Sequence, residues 1–499
     1  MVFDDGVVAD GETPEQWKKK KNVCVIGAGM SGLAAARELR REGHAVTVLE
    51  QAGDIGGQWL YTDDAGDGDG DTPAASVHSS MYASLRLISP RESMGFTDFP
   101  FFPVSGDGRD PRRFPGHREV FLYLNDFCHA FRLLDAVRFN TKVIHVAAMA
   151  GDGGERNWAV RSVRVVDGGD GDVEEVFDAV VVATGHYSQP KLPRIKGMES
   201  WKRRQLHSHC YRRPEKFRGE VIVVVGAGDS GKDIAIELTG VAKSVHLAAT
   251  DRDAAMSPAM RKLLAKHTNL HLRPRVEHLG DDGAVVFDGG ERVVADTVMY
   301  CTGYVYSFPF LDTGDEVAVD EDGSRVGPLF EHVFPPALAP SLSFVGVPKK
   351  VPAPWFFEAQ GKWIAMVLSG KKSLPSPEKM MIAVEEQYRA RAVAGVPVKC
   401  THELGGVEPQ KYIEFGEKYC DFPRFEDWKR EIIVSALKKR DDDDMETFRD
   451  RVDDDSDYVR LCLQNWYSSS PAQDQRLSVD DDDAHPPLAQ TAMAALALN

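Results

Sequence analysis

The chain has 499 residues, 42% of them hydrophobic and 27% charged, the proportions of a globular protein with room for two or more domains. No run of about 18 apolar residues occurs, which excludes a membrane-spanning helix. Its 60 basic and 77 acidic residues leave a net charge of −17, the wrong sign for a nucleic-acid partner.

Much of that charge is local, since residues 441–484 carry fifteen acids against four arginines, a balance of −11. The N-terminus is acidic and then runs into Lys18, Lys19, Lys20 and Lys21 without an apolar core, unlike a secretory leader. Seven scattered cysteines include no C-x-x-C pair, so neither a disulfide framework nor a metal site is expected, and a reducing, cytoplasmic setting fits.

The first strong signal is a β-branched run, Val23 to Ile26, that ends in G-x-G-x-x-G (Gly27, Gly29, Gly32) and passes into an alanine-rich helical stretch. A second apolar strand, Ala45–Leu49, follows and ends at Glu50. In that context Gly27 permits the tight turn, Gly29 lets a pyrophosphate approach, and Gly32 allows close helix–strand packing. Glu50 stands where a carboxylate accepts hydrogen bonds from an adenosine ribose.

The same pattern returns from Ile222 to Leu238, with Gly226, Gly228, Ser230 and Gly231 in the turn and a second strand at Val245–Ala248. Ala249 occupies the register of Glu50. Two like charges ~4 Å apart cost about 4 kcal/mol at an effective dielectric of 20, so losing the carboxylate lets a 2′-phosphate bind. Arg252 either pairs with that phosphate or is a solvated loop residue. The segment also imitates a nucleotide-triphosphate loop, but Asp233 replaces the hydroxyl residue that would hold magnesium.

Both copies close alike: Phe177–Val182 leads into Ala183, Thr184 and Gly185, and Val293–Tyr300 leads into Cys301, Thr302 and Gly303. The second unit is therefore nested in the first. The expected fold is α/β with two Rossmann-like dinucleotide-binding domains, the NADPH domain inserted into the FAD domain. The segments are 18–204 and 326–440 for FAD, 205–325 for NADPH, and 441–499 as an acidic, flexible tail in which Tyr458, Leu461, Leu463 and Trp466 can dock as a short helix. Loops rich in Asp and Gly (63–71, 105–110, 151–154, 167–172) read as solvated insertions. Two such folds imply one tightly held FAD and one exchanging NADPH, hence flavin redox chemistry, and without C-x-x-C the electron acceptor is external: oxygen or a small molecule.

Beyond the fingerprints, the chain carries Gly56-Gly57-Gln58-Trp59, the stretch Tyr82 to Arg86 with Pro90-Arg91-Glu92, Phe114 to His117, and His207-Ser208-His209 with Tyr211. It also carries Thr302-Gly303-Tyr304 with Phe308 to Leu311, and Phe357-Glu358-Ala359-Gln360. With these motifs over residues 20–430, the chain resembles the flavin-containing monooxygenases, in particular their plant S-oxygenase-like branch. That resemblance implies NADPH-driven transfer of one atom of molecular oxygen, through a C4a-hydroperoxyflavin, to a thioether or amine. An NADPH oxidase that releases hydrogen peroxide is the alternative.

The resemblance assigns Gly57, Gln58, Trp59 and Gln360 to FAD, and His207 and Ser208 to NADPH. Trp59 either covers the flavin or fills the core. Gln360 has independent support as a polar residue on an apolar element. Two departures stand out. The signature F-x-G-x-x-x-H appears as Trp201 to His207 without its Gly, and the family's Thr-Asn pair beside the flavin is Leu87 and Ile88 here. Ile88, with Ser89 adjacent, is thus expected at the oxygen-reacting edge, where a missing amide favours peroxide leakage.

Overall fold

The computed structural model describes residues 20–63, 79–150, 156–165, 171–405, 408–451 and 456–470. The expected insertions at 64–71 and 151–154, most of 167–172, and the tail beyond Ser470 lie outside the described residues or at their edge.

The elements that build the two nucleotide folds are β1 (Asn22–Ile26), α1 (Met30–Arg41), β2 (Ala45–Leu49), β3 (Val137–Arg138) and β4 (Ala179–Val182), then β5 (Arg204–His207), β6 (Val221–Val225), α2 (Asp229–Leu238), β7 (Ser244–Ala248), β8 (Leu270–Arg273) and β9 (Thr297–Tyr300), and finally β10 (Leu342–Phe344) and α3 (Ala353–Leu368). Their strands form two parallel sheets of five, ordered β10–β4–β1–β2–β3 and β8–β7–β6–β9–β5. Both central strands, β1 and β6, are nearly continuous valine and isoleucine, as parallel strands buried on two faces require. Because β10 completes the first sheet after the second has been made, the nesting expected from sequence is present.

The registers of the two units match. Gly27 N–H donates to Leu49 O and Gly226 N–H to Ala248 O, each at 2.9 Å. The first unit is backed by α3, which crosses α1 so closely that a Cβ at Gly361 would stand 2.9 Å from Ala35 Cα. The alanines of α1 make that approach possible.

Past Cys301 the chain leaves the second sheet: Tyr304 pairs with Pro190, and Leu311–Asp312 joins the strand Thr141–Ala150 of an antiparallel sheet that continues through Arg156–Arg164 and Val173–Phe177. Of the tail expected to be flexible from 441, the described residues 441–451 and 456–470 include folded elements. Helix α4 (Asp427–Asp442) runs past residue 441, and α5 (Asp457–Ser468) lays Trp466 against Phe102 with ring centroids 4.4 Å apart. On α5 Val459 and Trp466 are buried, whereas Tyr458 and Leu461, also expected to dock, are exposed.

Candidate functional site

A cavity of about 660 Å³ opens at the carboxyl ends of the first sheet. Its floor is the first glycine turn. Gly27 has φ +103°, and a Cβ there would meet Ala183 O at 2.8 Å. A Cβ at Gly32 would lie 1.9 Å from Gly27 O, so this glycine serves packing. Gly29 differs, since its nearest neighbour would be Gly57 Cα at 3.5 Å, an ordinary contact. Protein packing does not demand glycine at 29, whereas a pyrophosphate laid against the backbone does.

The Gly56–Trp59 turn roofs this floor. Gly56 bridges to Gly29, and Gly56 N–H donates to Ala28 O. Glu50 is buried at the end of β2, its Oε2 accepting from Ala28 N–H at 2.7 Å and its Oε1 from Ala52 N–H at 2.8 Å. A carboxylate offers about four acceptor positions, so two such bonds leave capacity for ribose hydroxyls. Gln58, Trp59 and Phe357 line the cavity, as do Thr184 and His186. Burial and the nearby Lys349 cation hold His186 neutral, with a pKa down at about 4.

Two buried polar atoms test whether a flavin dinucleotide suits this space. Thr184 Oγ1, on the cavity wall, has no hydrogen-bond partner among the described residues. Gln360 lies just behind the wall, its Oε1 accepting from Gly346 N–H at 3.1 Å while Nε2 has no partner among the described residues. Buried polar atoms are rarely left so, and the combination of a glycine floor, a ribose carboxylate and unspent donors fits the group.

The second turn is built alike but left open. Gly226 has φ +109°, and a Cβ at Gly231 would strike Gly226 O at 1.8 Å. Nothing lies within 4 Å of a Cβ at Gly228, and Ser230 is exposed. Ala249 is buried in the position of Glu50. Arg252 starts a short exposed helical turn and makes no ion pair with another described residue. This turn therefore suits a dinucleotide that comes and goes.

His207 and Ser208 are buried at the end of β5, between the units. His207 Nδ1 accepts from His209 N–H at 3.1 Å, and the ring also interacts with the backbone of Gly303. Ser208 bonds Tyr304 and Cys301, the residue whose carbonyl backs Gly226. Arg212, buried in the same segment, ties it to the first unit through Thr62 O and Ser79 O at 2.8 and 2.6 Å.

Neither Ile88 nor Ser89 lines the large cavity. Ile88 faces a small cleft with Asp229, Lys232, Asp233, Ile236, Arg440 and Met445. The loop is turned that way because Leu87 is buried, its N–H donating to Pro115 O at 3.0 Å and its carbonyl accepting from Arg449 at 3.0 Å. Sequence reasoning placed no role on Lys142, His186 or Lys349, which line the cavity. His186 adjoins the Ala-Thr-Gly closure and Lys349 follows β10, while Lys142 lies at the start of the strand Thr141–Ala150.

The sequence matches the flavin-binding monooxygenase-like family over residues 20–262 and 262–405. The chain belongs to this family. Among relatives of this flavin-binding monooxygenase, flavin-containing monooxygenase FMO GS-OX-like 9 of Arabidopsis thaliana is 53% identical over 87% of the chain and 94% of its own length. FMO GS-OX-like 8 of the same plant is 50% identical over 90% and 96%. The S-allyl-L-cysteine S-oxygenase structure from Allium sativum superposes with a TM-score of 0.80, at 41% identity, over 91% of the chain and all of its own. The monooxygenase is thus an oxidoreductase with the two-domain Rossmann architecture anticipated.

Proposed function

We propose that the protein uses NADPH and oxygen to transfer one oxygen atom to a sulfur or nitrogen nucleophile of a small molecule, with a thioether as the leading substrate class. The observation that carries this reading is the contrast between the two glycine turns: one roofed, beside a cavity of about 660 Å³, the other open at Gly228 and Ser230. A resident cofactor and an exchanging one call for that asymmetry. Sulfur oxygenation is supported by the 41% identical Allium sativum S-allyl-L-cysteine S-oxygenase.

Bound FAD would supply electron storage and oxygen activation, and the protein's share is placement and dryness. Backbone N–H groups at the start of α1 would receive the pyrophosphate, Glu50 would take the ribose, and Trp59 with Phe357 would help to exclude water from the cavity. Ser230 and the N-terminus of α2 would take the NADPH pyrophosphate, with Arg252 available to its 2′-phosphate. His186, neutral at pH 7, brings no charge to the cavity wall.

Holoenzyme given NADPH and a thioether such as S-allyl-L-cysteine should form sulfoxide in proportion to NADPH consumed. Consumption matched by hydrogen peroxide with no sulfoxide or N-oxide across thioethers and amines would replace this reading by an oxidase.

A further inference from the structure

The acidic stretch after α4 is a strap across the boundary between the two nucleotide units. On the inserted unit, Arg440 pairs with Asp229 at 2.8 Å, Lys262 with Asp443 at 2.7 Å, Lys266 with Glu446 at 2.6 Å, and Arg449 with Asp233 at 2.7 Å. On the first unit, Asp450 pairs with Arg86 at 2.8 Å and Phe448 meets the edge of Phe114.

Most of these pairs are solvated: the side chains of Lys262 and Lys266 are 63% and 61% exposed. Such pairs contribute little. Arg449 is different, at 10% exposed with Asp233 at 24%. Its guanidinium also serves both sides, because Nε donates to Leu87 O at 3.0 Å while Nη2 donates to Asp233. Asp233 belongs to α2, one turn beyond Gly228, and also accepts from Tyr82 of the first unit at 3.4 Å. One planar side chain from a third segment thus holds the Leu87 loop and the nucleotide helix together, a task that a guanidinium fork performs and a point-like ammonium does not.

We propose that Arg449 is a positioning residue for NADPH, fixing the angle at which α2 presents its nucleotide turn to the first unit. The role rests on NADPH binding at that turn. The solvated pairs of Lys262 with Asp443 and Lys266 with Glu446 flank this contact on the same strap.

The test compares Arg449→Ala, Arg449→Lys and Asp233→Asn holoenzymes. Expected is a rise in the NADPH KM of about five- to tenfold in Arg449→Ala and Asp233→Asn. Flavin content, thioether KM and the rate of flavin reduction by dithionite should stay at wild-type values. Arg449→Lys, keeping the ion pair and losing the second donor, should fall between. If Arg449→Ala yields no soluble holoenzyme, Asp233→Asn decides. An unchanged NADPH KM overturns the role, and so does a loss of flavin or a rise in thioether KM alongside it, which would mark a general structural part. A wild-type flavin that NADPH cannot reduce overturns the functional reading and this role with it.

Discussion

Arg37 of α1 and Glu358 of α3 form an ion pair inside the core, with side-chain exposures of 3% and 1%. Asp98 joins at 2.5 Å, and the guanidinium lies over the rings of Phe96, Phe127 and Phe131. Burial, with the neighbouring Asp98 and Glu38 carboxylates, pushes the Glu358 carboxyl up, and the Arg37 cation and the Thr97 N–H oppose it. Removing one partner strands the other, so Arg37→Met should cost about 3–5 kcal/mol in urea unfolding. Adding Glu358→Gln should recover part of the loss. A cost below about 1 kcal/mol in Arg37→Met would show that Glu358 takes up a proton or water in place of the cation.

The first fingerprint separates two jobs that one motif hides. Gly29→Ala has room among the protein atoms, with only Gly57 Cα at 3.5 Å, whereas Gly32→Ala would collide with Gly27 O. Gly29→Ala should therefore fold with unchanged circular dichroism and lose most of its flavin absorbance. Gly32→Ala should unfold or lose several kcal/mol. Full flavin content in Gly29→Ala would place the pyrophosphate elsewhere.

Arg252 makes no ion pair with another described residue, so its replacement should leave the melting temperature alone. Arg252→Ala is expected to raise the KM for NADPH by roughly tenfold and leave that for NADH unchanged. Equal coenzyme efficiency in the wild type would remove the 2′-phosphate role.

Acid should destabilise the protein through His332 and His402, whose Nδ1 atoms lie 2.9 Å apart in the core. Burial and neighbouring cations hold the His332 pKa at about 3, and burial with His332 drives His402 well down. Unfolded histidines take up protons near pH 6.5 and these folded ones do not. Stability present above about 6.5 is thus lost as pH falls toward 3, at up to about 1.4 kcal/mol per histidine per pH unit. Urea unfolding at pH 7.0 and 5.5 should show the drop, smaller in His402→Gln. A variant with the wild-type slope would clear this pair of responsibility.

Both glycine turns, Glu50, the Ala249 exchange and the nesting were readable because backbone geometry at a nucleotide turn dictates residue type at fixed spacing. Motif spacing puts Ile88 beside a flavin, while the path of its loop depends on bonds that spacing does not show: Leu87 N–H to Pro115 O, and Arg449, more than 300 residues downstream, to Leu87 O. The docking of α5 was readable from its apolar residues, but not which of them dock: Trp466 is buried as expected and Val459 beside it, while Tyr458 and Leu461 face solvent.

The closing strand of the first sheet, β10, pairs with β4 across the whole inserted unit, Leu342 opposite Val180. On a ribosome, then, the second nucleotide fold is complete in a contiguous stretch of chain while the first still lacks its edge strand and its backing helix α3. Contacts so distant in sequence form late. The apolar face of α1 waits for α3 throughout that interval, so a stall in synthesis between the two would leave a finished coenzyme module tethered to an open, aggregation-prone half-sheet.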